Sequence, residues 1–423
     1  MKKTPKGLRL HIGIFGRVNA GKSSFLNMIS GQDVAITSPV PGTTTDVVEK
    51  SMELLPLGPV VFLDTAGMDD NSALGAERLR RTRAALERSD IAVLVAEPDQ
   101  WTSFEDELIA SAGAGNTPVI CAVNKNDLQP PSAEVLARLA EKKIPYFSCA
   151  SVNADRRDAQ LSEFKSLLLE ACPEDFLNPP PLAGDLLRAG EVAVLVVPID
   201  LQAPKGRLML PQVQTIRDAL DNDAACLIVK EREYAAALSM LKQPPGLVVC
   251  DSQVVNKVMA DTPKEIKTTT FSILFARLKG DLPQMAAAAA AIDGLRSGDK
   301  VLIAESCSHH PAEDDIGRVK IPRWLKQYVG GDLTVDFACG RDYPSNLSEY
   351  RLVIHCGGCM QTRRDMLVRM EKARKAGVPI TNYGVAISML QGVLKRALSP
   401  FPAALSAFEA AHAEHKERRN TAK

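Results

Sequence analysis

Soft donors gather at two places in the last third of the chain. The apolar run Val301–Ala304 ends in Glu305-Ser-Cys-Ser-His-His310, and a second apolar run, 351–354, ends in His355-Cys-Gly-Gly-Cys-Met360. Each run reads as a buried strand that delivers its side chains at a C-terminal end, where open α/β sheets place their ligands. Cys307, Cys356 and Cys359 offer three thiolates, and His309 and His355 offer imidazoles. A CxxC spacing lets two sulfurs reach one metal centre across a tight turn, and Gly357-Gly358 supplies the backbone freedom for it. Three chemistries are open to such a set. Zinc would take a closed Cys₃His tetrahedron. A dithiol redox pair would use Cys356 and Cys359 and leave Cys307 and the histidines unexplained. An iron–sulfur cluster would take the three cysteines and an exchangeable fourth ligand, leaving one iron open.

His309, His310 and His355 are three of the six histidines in the chain, a clustering that favours a role for at least one of them. His412 and His415 fall on a charged terminal segment and read as solvated. Cys121, Cys149, Cys172, Cys226, Cys250 and Cys339 lie in or beside apolar runs and read as small buried hydrophobes, with Cys339 set apart because it too ends a strand.

A second, unrelated chemistry is written near the N-terminus. Gly16-Arg-Val-Asn-Ala-Gly-Lys22-Ser23 fits GxxxxGK(S/T) between an expected strand and an expected helix. In such a loop the backbone N–H groups turn inward around phosphates. Gly16, Asn19, Ala20, Gly21 and Ser24 shape it, Lys22 neutralises β/γ charge, and Ser23 offers a hydroxyl to Mg²⁺. Four further motifs follow in the order a GTPase requires. Pro41-Gly-Thr-Thr-Thr-Asp46 has the composition of a switch segment, with Thr44 (Thr43 as the near alternative) as the second Mg²⁺ hydroxyl. Asp64-Thr-Ala-Gly67 ends a strand; Asp64 would hold Mg²⁺ through water and the Gly67 N–H would meet the γ-phosphate. In Asn124-Lys-Asn-Asp127 the Asp127 carboxylate accepts both N1–H and the exocyclic amine of guanine, a donor pair that adenine lacks, while Lys125 lies along the base. Ser148-Cys149-Ala150 is placed to offer a backbone N–H to guanine O6.

The elements that must position these groups alternate strand and helix, which predicts α/β architecture with mostly parallel sheets: a P-loop GTPase domain and two further α/β domains. Residues 1–172 form the first, with strands at Leu10–Phe15, Val60–Asp64, Ile91–Ala96, Pro118–Asn124 and Tyr146–Ala150 and helices at Glu77–Arg88 and Ala133–Lys142. A linker, 173–185, contains three consecutive prolines. Residues 186–267 carry strands but no nucleotide motif, so they read as a dimerisation domain; 268–423 carry the thiolate site. Helices are expected there at Phe271–Leu278, Ala286–Ala291 and from Pro402 onward. The 423 residues contain 51 basic and 51 acidic side chains, a balance that argues against a protein held to nucleic acid by charge. No apolar run approaches ~20 residues and no signal-peptide pattern is present, so a cytoplasmic protein with reduced thiols is expected, with no membrane partner.

Residues 9–172 resemble the translation-factor-related GTPases of the tRNA-modification and ribosome-assembly type. That resemblance implies that Asn19 helps bind a K⁺ ion able to stand in for an arginine finger. Met68 follows Gly67 where a water-orienting Gln could stand, and Asp69 and Asp70 have no assigned role, so slow hydrolysis of GTP to GDP and phosphate is expected. Taken whole, the GTPase head, the motif-free middle and the CxH…HCxxC tail resemble the FeFe-hydrogenase maturation GTPases. The resemblance implies that Cys307, Cys356 and Cys359 hold a 4Fe–4S cluster, with His309 or His355 as a weak fourth ligand. It also implies a homodimeric scaffold or carrier. Such a carrier would take up a transient di-iron precursor made by radical-SAM maturases and transfer it to the apo-FeFe-hydrogenase. The competing reading is a tRNA-modification or ribosome-assembly GTPase with an appended zinc-binding domain.

Overall fold

The computed structural model describes residues 4–31, 48–65, 82–198, 208–306, 315–340, 343–344 and 346–421. The chain divides into two compact units, Met1–Pro179 and Pro180–Lys423.

The first unit is built on a six-stranded sheet of β1 (Leu10–Phe15), β2 (Val48–Leu54), β3 (Gly58–Asp64), β4 (Ile91–Ala96), β5 (Val119–Val123) and β6 (Tyr146–Ser148), in the order β2-β3-β1-β4-β5-β6. Five strands run parallel; β2 is antiparallel to β3. Every residue of β1, β4 and β5 is buried, the pattern of strands covered on both faces, which explains why they stand out as apolar runs. β2, Val-Glu-Lys-Ser-Met-Glu-Leu, is half-exposed at the edge and has no apolar run to betray it. Three rings, Phe25, Phe147 and Phe164, pack at centroid distances of 5.4–6.1 Å between helix Lys22–Ser30, β6 and helix Arg157–Ala171. Helix Ser103–Ala114 starts in a capping box between Thr102 and Glu105.

The second unit holds two four-stranded parallel sheets. One contains β7 (Val192–Val196), β8 (Ala225–Val229), β9 (Leu247–Cys250) and β10 (Thr268–Thr270), in the order β10-β9-β7-β8. The other contains β11 (Lys300–Glu305), β12 (Thr334–Cys339), β13 (Leu352–His355) and β14 (Ile380–Asn382), in the order β12-β11-β13-β14. Thr268, expected to open the third block, instead begins β10, which pairs with β9 and completes the middle sheet. Its three threonines are fully buried, and β-branched side chains suit that pleated surface. A single buried apolar cluster runs through both sheets, from Leu182 to Phe408.

The Ala-rich helix also differs from its expected bounds. It spans Leu282–Ala289, capped by Asp281, and tightens into a 3-10 turn at Ala290–Gly294. Its small side chains let it lie close against the terminal helix Pro402–Thr421, where Ala404 and Phe408 are buried. In the last sheet the chain moves outward from β11 to β12, then returns past β11 to β13. The loops leaving β11 and β13 therefore diverge at their C-terminal ends. That reversal of strand order is where doubly wound sheets open a binding crevice.

Candidate functional site

In the first unit the loop Gly16–Gly21 joins β1 to the helix Lys22–Ser30. Gly21 holds φ +93°, and a Cβ there would lie 2.2 Å from Asn124 Nδ2; one at Gly16 would lie 2.4 Å from the Val95 carbonyl oxygen. Asn19 adopts φ +66°, a conformation that asparagine tolerates better than most residues. The Lys22 ammonium is buried and donates to the carbonyls of Gly16 (2.7 Å) and Arg17 (2.9 Å), so it closes the loop on itself. Ala20 is buried, Ser23 is exposed at the second helical position, and Ser24 is half-buried.

Asn124 ties the base-reading segment to the phosphate loop. Its Nδ2 donates to the Ala20 carbonyl (2.9 Å), and its Oδ1 accepts from Ser151 N (3.1 Å) and Ser151 Oγ (2.8 Å). Asp127 is exposed. Ser148 ends β6; Cys149 and Ala150 are buried behind it, and burial pushes the Cys149 thiol up to about 12. Asp64 closes β3, paired in register with Ile14, and the Thr65 hydroxyl donates to the Ile14 carbonyl (2.6 Å). Thr43, Thr44, Gly67, Met68, Asp69 and Asp70 lie outside the described residues, as does the first part of the helix expected over Glu77–Arg88.

Sequence reasoning missed the charged residues that brace this loop. Arg17 Nε donates to Glu105 Oε1 (2.8 Å), and its other nitrogens meet Gln100 Oε1 (2.7 Å) and Glu97 Oε2 (3.1 Å). Glu97 Oε1 receives Lys125 Nζ at 2.5 Å. One carboxylate thus joins a phosphate-loop side chain to the lysine of the base-reading motif. Glu105 is fully buried and also caps its own helix through Thr102. The only sequence signal for this group is the Thr102…Glu105 spacing of a capping box.

The second unit brings the ends of β11 and β13 together. Ser306, the residue that follows β11, donates from its backbone N–H to Cys356 Sγ (3.1 Å), and its hydroxyl lies at the same distance from that sulfur. Cys356 N in turn donates to the Ala304 carbonyl (2.8 Å). Gly358 sits at φ +63° in the turn between the two cysteines, where a Cβ would come within 2.8 Å of Met366 Cε. Burial raises the Cys359 thiol, and the neighbouring Cys356 raises it further, so the two sulfurs sense one another. Cys307, His309 and His310 lie outside the described residues. Among the described residues no group of three or more His, Cys, Asp or Glu side chains could hold a metal ion.

His355 is fully buried with both ring nitrogens engaged. Nδ1 meets the Cys356 carbonyl (2.7 Å), so it carries the proton, and Nε2 accepts from an Arg369 nitrogen (2.8 Å). Burial, and then the Arg369 charge, pull its pKa down to about 3, which keeps the ring neutral. Cys339 is half-buried rather than sealed in the core, like Cys226. Its sulfur accepts from Arg318 (2.7 Å), which pairs with buried Glu305 (3.5 Å). The other four of these cysteines, Cys121, Cys149, Cys172 and Cys250, are buried as expected. Two soft donors flanking a glycine turn, one of them already receiving a backbone N–H at sulfur and lying against a hydroxyl, suit a thiolate-bound cluster.

With these geometries in place, the similarities of the chain divide by unit. Residues 182–280 match the Hydrogen maturase F dimerization domain and residues 283–400 the Hydrogen maturase F tetramerization domain. The chain belongs to the hydrogen maturase F family, the FeFe-hydrogenase maturation GTPases. Residues 11–125 match the 50S ribosome-binding GTPase family, so the first unit is the family's GTPase domain. Among curated relatives, the GTPase Der of Persephonella marina is 35% identical over 37% of this chain and 37% of its own length. The tRNA modification GTPase MnmE of a Synechococcus strain is 40% identical over 32% of this chain and 29% of its own. The chain therefore spans only 37% and 29% of the length of these two relatives. A solved structure of Aquifex aeolicus Era bound to GDP.AlF4- is 18% identical and covers 52% of this chain and 92% of that one, with a TM-score of 0.31. Among the described residues no helix is long and apolar enough to cross a membrane.

Proposed function

We propose that this hydrogen maturase F protein is a cytoplasmic scaffold that binds and slowly hydrolyses GTP. In this reading it receives or assembles the di-iron subcluster of the FeFe-hydrogenase active site and passes it to the apo-hydrogenase. The observation that carries the reading is the contact of Ser306 with Cys356 Sγ, 3.1 Å from both its N–H and its hydroxyl, because Ser306 immediately precedes Cys307 in the chain. Cys307, Cys356 and Cys359 are the proposed ligands of a 4Fe–4S cluster, with a weak, replaceable donor at the fourth position. When bound, the cluster supplies an iron corner at which an exogenous ligand can bridge and later leave. The chain's own part is to hold the Cys356 sulfur against the Ser306 N–H and hydroxyl and to turn the backbone at Gly358 so that Cys359 can approach the same centre.

In the GTPase domain, Lys22 exchanges the Gly16 and Arg17 carbonyls for the β- and γ-phosphates. Ser23, Thr44 and Asp64 serve Mg²⁺, the Gly67 N–H serves the γ-phosphate, Asn19 serves an activating K⁺, and Asp127 with Lys125 reads guanine. GTP acts as a timer on the binding of partners, which are two radical-SAM maturases and the hydrogenase, and not as the energy source of the iron chemistry. A Lys22→Ala chain that released those partners as the native one does would remove the timer. The homodimer is assigned to the domain of the middle sheet, whose edge strand β8 carries Ile228, 44% exposed. Anaerobic purification tests the whole reading. A brown protein with roughly four iron and four sulfide per chain supports it. A colourless one with a single zinc would favour a tRNA-modification or ribosome-assembly GTPase carrying a zinc domain.

A further inference from the structure

Arg369 lies in the helix Arg363–Lys375 and is 9% exposed. A guanidinium so placed ordinarily has a carboxylate beside it, since burying an uncompensated charge is costly. This one forms no ion pair among the described residues: its hydrogen-bond partners are neutral, and the Asp365 carboxylate, one turn back on the same helix, acts on it only through space. One nitrogen donates to His355 Nε2 (2.8 Å), another donates to the Gly340 carbonyl, and the planar group stacks on the Tyr343 ring at 4.8 Å. With the Gln361 amide turned to satisfy its neighbours, its oxygen accepts from Arg369 (2.8 and 3.2 Å) and its nitrogen donates to Ser306 Oγ (3.2 Å).

Two arms therefore leave one cation and end on one cysteine. Through His355 the cation reaches the Cys356 carbonyl, to which Nδ1–H donates. Through Gln361 it reaches Ser306, whose N–H and hydroxyl meet the Cys356 sulfur. Donors run outward from Arg369 along both arms, so each inner group is oriented to give a hydrogen bond to Cys356. A thiolate-ligated iron cluster at Cys356 would bring negative charge to this cation.

We propose that Arg369 is a positioning residue for the cluster site: its buried charge compensates the thiolate cluster, and its bond to Nε2 fixes His355 as a hydrogen-bond donor to the CxxC loop and not as the fourth iron ligand. The inference rests on the cluster reading above. A nearby positive charge stabilises the more negative, reduced cluster and so raises its reduction potential.

The test uses the full chain, anaerobically reconstituted with iron and sulfide, followed by an EPR-monitored redox titration. Arg369→Gln is expected to shift the midpoint to lower potential than the wild type. Arg369→Lys, which keeps the charge and loses the fork, is expected to fall between the two. Pulsed EPR of the reduced wild type is expected to show no strongly coupled imidazole nitrogen that disappears in His355→Asn. A wild-type midpoint in Arg369→Gln with its cluster intact, or a ligand-type nitrogen coupling lost in His355→Asn, would overturn the proposal and leave the cluster reading standing. Should Arg369→Gln fail to fold, the nitrogen coupling and the Lys variant decide. A wild-type chain that takes up no cluster would overturn both.

Discussion

The two sites solve opposite electrostatic problems. The nucleotide site presents cations for a ligand that arrives with its own charge, and until then it occupies them internally: Lys22 on loop carbonyls, Arg17 and Lys125 on the shared carboxylate of Glu97. The thiolate site keeps a buried cation that forms no ion pair among the described residues, and surrounds it with oriented neutral dipoles that end at Cys356. The first arrangement suits a ligand that comes and goes with each turnover. The second suits a resident anionic group.

This contrast can be broken first at its centre. Cys356→Ser should lose most of the bound iron while nucleotide binding stays at the wild-type level. Lys22→Ala should do the reverse, with guanine-nucleotide affinity falling about a hundredfold, ~3 kcal/mol for a lost charge-assisted contact. Iron analysis and titration with a fluorescent GDP analogue measure both, and a loss of iron in Lys22→Ala would show that the sites are not separable. Next in size is Glu105→Ala, which leaves Arg17 beside an empty buried position and also removes a helix cap. It should destabilise the GTPase domain by about 3–5 kcal/mol in chemical denaturation; a change below about 1 kcal/mol would mean that Arg17 is not braced as described.

Gly21→Ala sharpens the account of the loop. Its φ of +93° and the 2.2 Å approach to Asn124 should cost about 1–3 kcal/mol and weaken nucleotide binding with it. The same change at Gly358 meets only the flexible end of Met366 and should cost about 1 kcal/mol. The smallest expected effect is Glu97→Gln, about 1 kcal/mol or a fewfold weaker GTP binding, since both its partners remain partly exposed. A large effect there would make Glu97 a true link between phosphate and base recognition.

Much of the fold was legible because parallel strands buried on both faces are written as apolar runs, as in β1, β4, β5, β11 and β13. The edge strand β2 was not, since only Leu54 of its seven residues is buried. Nor was β10, three threonines with no run to mark them. The glycines, Lys22, Asn124 and the CxxC pair announce themselves by spacing. Arg369, Gln361 and Ser306 do not, because they meet only when the helix after β13 folds back over the sheet end, a long-range event with no local period. The same holds for the Arg17–Glu97–Glu105 group, in which Arg17 lies 80 residues before Glu97 and 88 before Glu105.

We propose that Cys307 joins Cys356 and Cys359 at one iron centre, and Cys307→Ser set beside Cys356→Ser after anaerobic reconstitution decides it. Both variants are predicted to lose the reduced-cluster EPR signal and most of the iron to the same extent. A Cys307→Ser protein that kept the full iron content and the wild-type signal would contradict the claim.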